Sequence, residues 1–209
     1  AISAVLQTYI TILPLLIGLN VIKTQDEIYK ILKYIVISIL IYIPFIVFEL
    51  RFSPQLHNMV YGFHPHEFIQ QIRAGGFRSV VFLGHGLLTA NYFLGGFISL
   101  LILLKVKCFF ISKDFHIALV FIFFAFLIAL KSATAVVLAL LAIAIFLFRD
   151  RMQKYALQFL VLCVAFYPLV VFTDIIPLDW LYDKLQLVLS LERVNSLYFR
   201  FSNEQEAVE

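Results

Sequence analysis

Residues 73–86 read Arg-Ala-Gly-Gly-Phe-Arg-Ser-Val-Val-Phe-Leu-Gly-His-Gly and run directly into an apolar segment that ends at residue 104. A guanidinium at the edge of a bilayer costs free energy unless it meets an anion. Arg73 and Arg78 therefore predict a site that holds a negatively charged, lipid-borne ligand. The alternative is that both side chains reach lipid headgroups and only anchor the helix end.

The composition places these residues in an integral membrane protein. Hydrophobic residues make up 63% of the chain, charged residues only 14%, and the mean hydropathy is +0.98. The apolar runs are too long for β-barrel strands, so we expect an all-α, polytopic transmembrane helix bundle. About six spans are predicted, at 1–19, 34–50, 80–104, 115–130, 133–148 and 155–173. A net charge of +3 is too small to indicate a nucleic-acid partner.

The segment 174–209 differs from the bundle at 1–173 and is predicted to be a separate extracytoplasmic segment. Its leucines recur at helical spacing around Trp180, which is typical of a helix lying on a membrane surface. Arg193 and Arg200 are seven residues apart, so a helix would place them on one face about 10.5 Å apart. That spacing could bracket a pyrophosphate and an attached sugar, or it could belong to a solvated surface.

The orientation follows from the positions of lysine and arginine. The loops 20–33, 105–114 and 149–154 hold nine basic residues in 30 positions, whereas the opposite side holds seven in 67. By the positive-inside rule the first set is cytoplasmic and the loop 51–79 is extracytoplasmic. Five of the seven outer basic residues are arginine, whose planar fork suits phosphate or carboxylate.

Several other chemistries find little support in the residue pattern. A histidine pair around Pro65, at His64 and His66, lacks the spacing of helical zinc sites, so no metal is predicted. The outer side has no Asp-x-Asp, which argues against a glycosyltransferase that binds a nucleotide sugar through a divalent cation. The Gly84-His85-Gly86 run has histidine where a nucleophile elbow requires serine.

Three motifs together resemble the O-antigen polymerase and O-antigen ligase family. Arg73 and, after ten residues, Gly84 match the Arg-x10-Gly pattern of that family's periplasmic loop. The run Lys131-Ser132-Ala133-Thr134 is similar to its Ser/Thr-bearing helix start, and Ser196 to Arg200 is similar to its Ser-x-x-x-Arg. The motifs cover residues 73–209 in the family's order.

The resemblance implies a metal-independent, inverting glycosyltransferase that needs no cofactor and polymerises polyprenyl-pyrophosphate-linked repeat units at the outer leaflet of the bacterial cytoplasmic membrane. The implied substrate-binding residues are Arg73, Arg78, Gly84, Arg193 and Arg200. Arginines at the headgroup plane would stabilise the charge on the departing pyrophosphate. His85 is the first candidate for the general base, and Glu67 or His66 are the others. The lipid-linked glycan, the bilayer and a chain-length regulator protein are the expected partners.

Two alternatives remain open. A ligase of the same family would move the glycan to an acceptor lipid, although the loop 51–79 is short for a ligase. A transporter or flippase could bind an anionic lipid-linked substrate with the same arginines, but it would be expected to carry polar residues near the bilayer midplane. The family's usual dozen or so helices and the abrupt apolar opening lead us to expect a piece of a longer chain.

Overall fold

A computed structural model of the 209-residue chain describes residues 2–64, 71–73, 75–110, 112–148 and 150–172, with eight positions of the tail at 182, 186, 194–195, 198–199 and 202–203. The chain divides into two compact units, Ala1–Leu147 and Phe148–Glu209. The boundary at residue 173 that the sequence suggests stays a prediction.

The described residues are mostly helical, which confirms the all-α prediction. The first unit contains the helices α1 (Ile2–Val21), α2 (Gln25–Phe52), α3 (Leu56–Tyr61), α4 (Gly86–Lys105), α5 (Lys113–Ala129) and α6 (Ala133–Leu147). Two short strands, β1 (Ile72–Arg73) and β2 (Gly76–Phe77), form an antiparallel hairpin between α3 and α4. The second unit begins with α7 (Asp150–Phe172).

Helix α4 is the centre of the first unit and packs against α2, α5 and α6. Its buried side chains include Phe93, Phe97 and Leu100. Gly96 allows the neighbouring helices to approach closely, since a Cβ at this position would overlap Ile39 of α2 and lie 3.0 Å from the Phe123 ring of α5. Small residues at helix crossings have this effect because they remove the side chain that would hold the backbones apart.

Helix α2 begins with a capping box and continues through Pro44. The Thr24 side chain accepts a hydrogen bond from the Glu27 N–H, and the Glu27 carboxylate accepts from the Thr24 N–H at 2.9 Å. Two of the helix's unpaired N-terminal donors are thereby satisfied. The helix ends before Ser53, whose φ of +95° is incompatible with further helical turns.

Of the described helices, two, α2 and α4, are long and apolar enough to cross a membrane, whereas about six spans were predicted. The other apolar segments are shorter, at Thr8–Val21, Ala133–Leu147 and Met152–Phe166. Helix α6 has 15 residues, and this length covers about 22 Å of a hydrocarbon core about 30 Å thick.

The predicted third span also begins too early. Residues 80–85 form turns, and the helix starts at Gly86, because Val81 and Gly84 have φ of +48° and +77°, outside the helical region. The predicted tight connection between the fourth and fifth spans agrees with the structure: α5 and α6 are separated only by Leu130–Ser132. The surface helix around Trp180 lies outside the described residues.

The loops of the first unit gather at two ends of the bundle. At one end the Lys33 ammonium donates to the Phe109 carbonyl at 3.1 Å, joining the start of α2 to the loop before α5. At the other end, which we call the hairpin end, lie the last turn of α2, the described residues 53–64, 71–73 and 75–85, and the α5–α6 turn. The loops predicted to be cytoplasmic and extracytoplasmic therefore lie at separate ends of this unit.

Candidate functional site

Glu49, in the last turn of α2, organises the hairpin end. Its side chain is fully buried, and its Oε2 accepts hydrogen bonds from the Ser79 hydroxyl at 3.0 Å and from the N–H groups of Val80 and Val81 at 2.7 Å each. Its Oε1 accepts from the Leu56 N–H at 3.2 Å. One buried carboxylate thus holds two separate parts of the loop, and the four donors compensate for its removal from water.

Thr89 of α4 holds the same loop from the opposite side. Its buried hydroxyl donates to the Val80 carbonyl at 3.0 Å, so Val80 is bound at its N–H by α2 and at its carbonyl by α4. Val81 then adopts a φ of +48°, which is rare for a β-branched residue. The surrounding hydrogen bonds stabilise this conformation, and it directs the chain into the Gly84-His85-Gly86 run.

Arg78 directly precedes the residues that Glu49 and Thr89 bind, and it is 8% exposed. Its N–H donates to the Gln71 carbonyl at 2.8 Å, which fixes the backbone at the end of the hairpin. Its side chain crosses Gly86 so closely that a Cβ there would lie 2.6 Å from Cδ and 2.7 Å from Nε. The glycine at position 86 is therefore the space through which a buried guanidinium stem passes at the N-terminus of α4.

The electrostatics of this position favour an anion. A helix N-terminus carries a partial positive charge, so Arg78 and α4 present two positive features side by side. A ligand with several anionic oxygens suits this surrounding better than a neutral one does.

His85 is the N-cap of α4, and its Nδ1 accepts a hydrogen bond of 3.0 Å from the Leu87 N–H. A ring nitrogen that accepts cannot carry the proton, so the neutral ring is protonated at Nε2. In this state Nε2 is able to donate a hydrogen bond, and Nδ1 can serve as a base only after it releases the Leu87 N–H. Gly84 before it has a φ of +77°, and space for a Cβ is open, so glycine is required there for its conformation alone.

Lys131 joins the hairpin end from the α5–α6 turn. Its side chain is half-buried, and its ammonium lies against Gly76 of β2, where a Cβ would overlap Nζ. Gly76 is paired with Arg73 in the hairpin and precedes Arg78 by two residues, a distance of roughly 7 Å along extended chain. The lysine of the proposed Lys131-Ser132-Ala133-Thr134 motif is therefore brought to the same loop as Arg78.

The structure thus places Arg78, Gly84, His85 and Lys131 at the hairpin end, while other predicted site residues cannot be placed with them. The backbone of Arg73 belongs to β1, but its side chain lies outside the described part of the chain. Glu67, Arg193 and Arg200 also lie outside the described residues. Their assignments stay predictions.

The motif reasoning missed Glu49 and Thr89. Glu49 had a recognisable signal, because it is the one carboxylate in the apolar run 34–50, and an ionisable residue inside such a run has a structural or functional partner. Thr89 had no comparable signal, since threonine is common in membrane helices. Its role depends on the position of the Val80 carbonyl, which lies nine residues away in the sequence.

The second unit has a separate cavity of about 400 Å³ lined by Tyr182, Asn195, Tyr198, Phe199 and Ser202. The Tyr182 hydroxyl donates to the Asn195 amide oxygen at 2.9 Å, and the Tyr182 and Tyr198 rings meet edge to face at 5.3 Å. This volume is within the range typical of small-molecule sites.

The hairpin end therefore combines a buried arginine, a lysine and a helix N-terminus on a loop that a buried carboxylate holds in place. Comparison of the chain with protein-family models, with curated proteins and with solved structures finds no match.

Proposed function

We propose that the chain is a membrane glycosyltransferase that polymerises polyprenyl-pyrophosphate-linked oligosaccharide repeat units, with inversion and without a metal. The observation that carries the proposal is the position of two cations at the hairpin end of an apolar bundle: Arg78 lies against Gly86 at the start of α4, and Lys131 lies against Gly76 of the hairpin. A lipid pyrophosphate lies at the headgroup plane, so the cations that bind it must lie where helices meet the membrane surface.

The surface of the first unit supports a membrane location. Apolar side chains face outward on several helices, including Ile41 of α2, Phe121 of α5 and Val137 of α6, which are 62%, 69% and 63% exposed. Only 17% of the apolar window of α2 is buried. Soluble monomers seldom expose such continuous apolar surface, whereas lipid would cover it. We propose a multi-pass arrangement in which the shorter helices cross a locally thinned bilayer.

The proposed reaction is a direct displacement at the anomeric carbon. An acceptor-sugar hydroxyl oxygen forms the new bond to this carbon, and the bond from the carbon to the phosphate oxygen breaks with its electron pair leaving on polyprenyl pyrophosphate. The attacking hydroxyl loses its proton to a base. Arg78 contributes by stabilising the negative charge that grows on the leaving group, through paired N–H donors.

The hydrogen bond by which His85 caps α4 changes the catalytic roles that we expect for His85 and Glu67. Because Nδ1 of His85 accepts from Leu87, the ring is set to donate from Nε2 to a substrate oxygen. We therefore assign proton removal to Glu67, which lies in the same predicted extracytoplasmic loop.

Elongation of a lipid-linked substrate by the purified full chain tests the proposal. The substrate is the radiolabelled polyprenyl-pyrophosphate repeat unit extracted from the source membranes, and products are resolved by size after release from the lipid. A ladder of longer glycans on the polyprenyl carrier is the expected result. Transfer to a second lipid would instead identify a ligase, movement of unchanged substrate across vesicles a flippase, and absence of all three would overturn the proposal.

Two variants give this assay its control. Arg78→Ala removes the buried guanidinium of the site, whereas Arg51→Ala removes an exposed guanidinium from the last turn of α2. Loss of elongation in the first variant alone, at equal amounts of folded protein, ties the activity to the site rather than to a copurified enzyme.

A further inference from the structure

We propose that Lys131 is a phosphate-binding residue of the site and acts with Arg78 on the pyrophosphate of the lipid-linked donor. The inference rests on the proposed function for the identity of the ligand. Its structural basis is independent of any motif, because it follows from the backbone of the α5–α6 turn and from the position of the lysine ammonium at the hairpin.

The backbone at Lys131 is in the left-handed region, with a φ of +54°, directly after the last residues of α5. Its N–H donates to the Ile128 carbonyl at 3.1 Å, which closes the helix end. Glycine or asparagine is usual at this position because a Cβ disfavours the conformation. Lysine therefore adopts this conformation at an energetic cost.

Lys107 offers a direct comparison within the same chain. It follows α4 with a φ of +58°, and its N–H donates to the Leu104 carbonyl at 3.2 Å. A cation after a helix C-terminus is favourable at both places. Charge and backbone conformation at a helix end therefore do not distinguish the two lysines.

The surroundings of the two ammonium groups do distinguish them. Lys107 is exposed at the end of the bundle opposite the hairpin, whereas Lys131 is half-buried and extends to Gly76 of β2. Only a residue without a Cβ leaves room for Nζ there. The hairpin thus places the ammonium on the loop that carries Arg78, which passes over Gly86 at the start of α4.

Two cations at the hairpin end suit a ligand with two linked phosphates. The arginine provides a planar fork, and the lysine provides a compact charge whose three donors can turn toward different oxygens. The alternative role for Lys131 is mechanical, with the ammonium holding the hairpin in place. The two roles differ in whether removal of the charge weakens anion binding.

The test measures binding of fluorescent undecaprenyl pyrophosphate to the detergent-solubilised full chain, with undecaprenol as the uncharged control. Lys131→Met keeps the stem and removes the charge, Lys131→Arg keeps the charge, and Lys107→Met is the matched control. We expect Kd to rise about tenfold or more in Lys131→Met, because a charge-assisted contact is lost. Lys107→Met should bind as the unmodified protein does, and Lys131→Arg should recover part of the affinity that Lys131→Met loses.

Competition with inorganic pyrophosphate separates two sources of the anion. If free pyrophosphate displaces the fluorescent lipid as well as unlabelled undecaprenyl pyrophosphate does, the site recognises the diphosphate alone. If the unlabelled lipid displaces it far better, the site recognises the polyprenyl tail as well. Either result supports the role of Lys131, provided that Lys131→Met weakens both ligands.

Two outcomes would overturn the inference in distinguishable ways. Unchanged Kd in Lys131→Met, with Arg78→Ala weakened, would remove Lys131 from the site and leave the proposed function standing. Failure of the unmodified protein to bind undecaprenyl pyrophosphate in preference to undecaprenol would remove both the inference and the proposed function.

Discussion

The Glu49 carboxylate accepts a hydrogen bond of 2.7 Å from the N–H of Val81, 32 residues further along the chain. This bond joins the last turn of α2 to a residue with a φ of +48°, immediately before the turn that leads into α4. The positions of Arg78 and His85 therefore depend on Glu49, although the hydrogen bonds of Glu49 described above go to other residues of the loop.

Glu49→Gln should destabilise the protein although it preserves size and shape. An amide has one acceptor oxygen, and its NH₂ group would face backbone N–H donors, so at least one buried donor loses its partner at a cost of about 1–3 kcal/mol. Thermal unfolding in detergent measures the loss. Asp26→Asn, at an exposed carboxylate on the same helix, is the control. Equal melting temperatures for both variants would show that the hydrogen bonds of the Glu49 carboxylate contribute nothing to stability.

Gly86→Ala should reduce activity and also lower stability. The added Cβ would lie 2.6 Å from Cδ and 2.8 Å from Cγ of Arg78, and this stem is buried, so the whole side chain must shift.

Arg78→Lys should lower turnover about ten- to hundredfold, since an ammonium keeps the charge but loses paired donors worth roughly 1.5–3 kcal/mol.

Elongation of the lipid-linked repeat unit measures both changes. Arg51→Lys, at an exposed arginine, should remain near the unmodified rate. Equal rates in all three variants would favour the anchoring role of Arg78 and contradict its role in anion binding.

The variants His85→Asn and His85→Ala distinguish the role of His85 as N-cap of α4 from its proposed role as hydrogen-bond donor to the substrate. Asparagine is a good N-cap, so His85→Asn should melt close to the unmodified protein, whereas His85→Ala should lose about 1 kcal/mol. If the imidazole donates to substrate, both variants should lose turnover by on the order of a hundredfold. Full activity in His85→Asn would show that the histidine is needed only to cap α4.

Acid should weaken the start of α2 through Glu27. Hydrogen bonds from the Lys23 N–H and then the Thr24 N–H lower the pKa of this carboxyl below its ordinary value of 4.5. Its contribution to stability is thus fully present above pH 4.5 and is lost as the pH falls through the lowered folded-state pKa. The side chain lies before the predicted span 34–50, where water reaches it.

Melting temperatures of the unmodified protein and of Glu27→Gln, taken from pH 7 downward, measure this effect. Glutamine can also complete a capping box but does not titrate, so the difference in melting temperature between the two proteins should shrink on acidification. A difference that is independent of pH would exclude Glu27 as the responsible group.

Cysteine labelling tests the proposed orientation. Met59 is 65% exposed in α3, and Asp114 is exposed in the first turn of α5 at the other end of the bundle. In a background without Cys108 and Cys163, a membrane-impermeant maleimide should label Met59→Cys in intact cells and Asp114→Cys only after lysis. The opposite pattern would place the site on the cytoplasmic side and remove the proposed mechanism.

The sequence alone determined the helical class and the order of the helices in the first unit. Long apolar runs predict helices because a bilayer would offer their backbone groups no other partners, and polar residues interrupt the runs at the turns. The predicted centres agree with α1, α2 and α4 to α6. Composition also indicated which loops share an end, because lysine and arginine are distributed unequally between alternate loops. Local periodicity could not set the start of α4, since residues 80–85 are as apolar as the helix that follows.

Only the tertiary structure decided how the site is held. Whether Val81 adopts a positive φ, whether Arg78 crosses Gly86 and whether Lys131 reaches Gly76 depend on contacts between segments far apart in sequence. Hydrogen bonds such as that between Glu49 and Val81 act over a few ångströms in space, and residue spacing along the chain carries no record of them. The arginines and the histidine were recognisable by type and Glu49 by its place in an apolar run, whereas the loop groups that Glu49 binds became evident only in the folded chain.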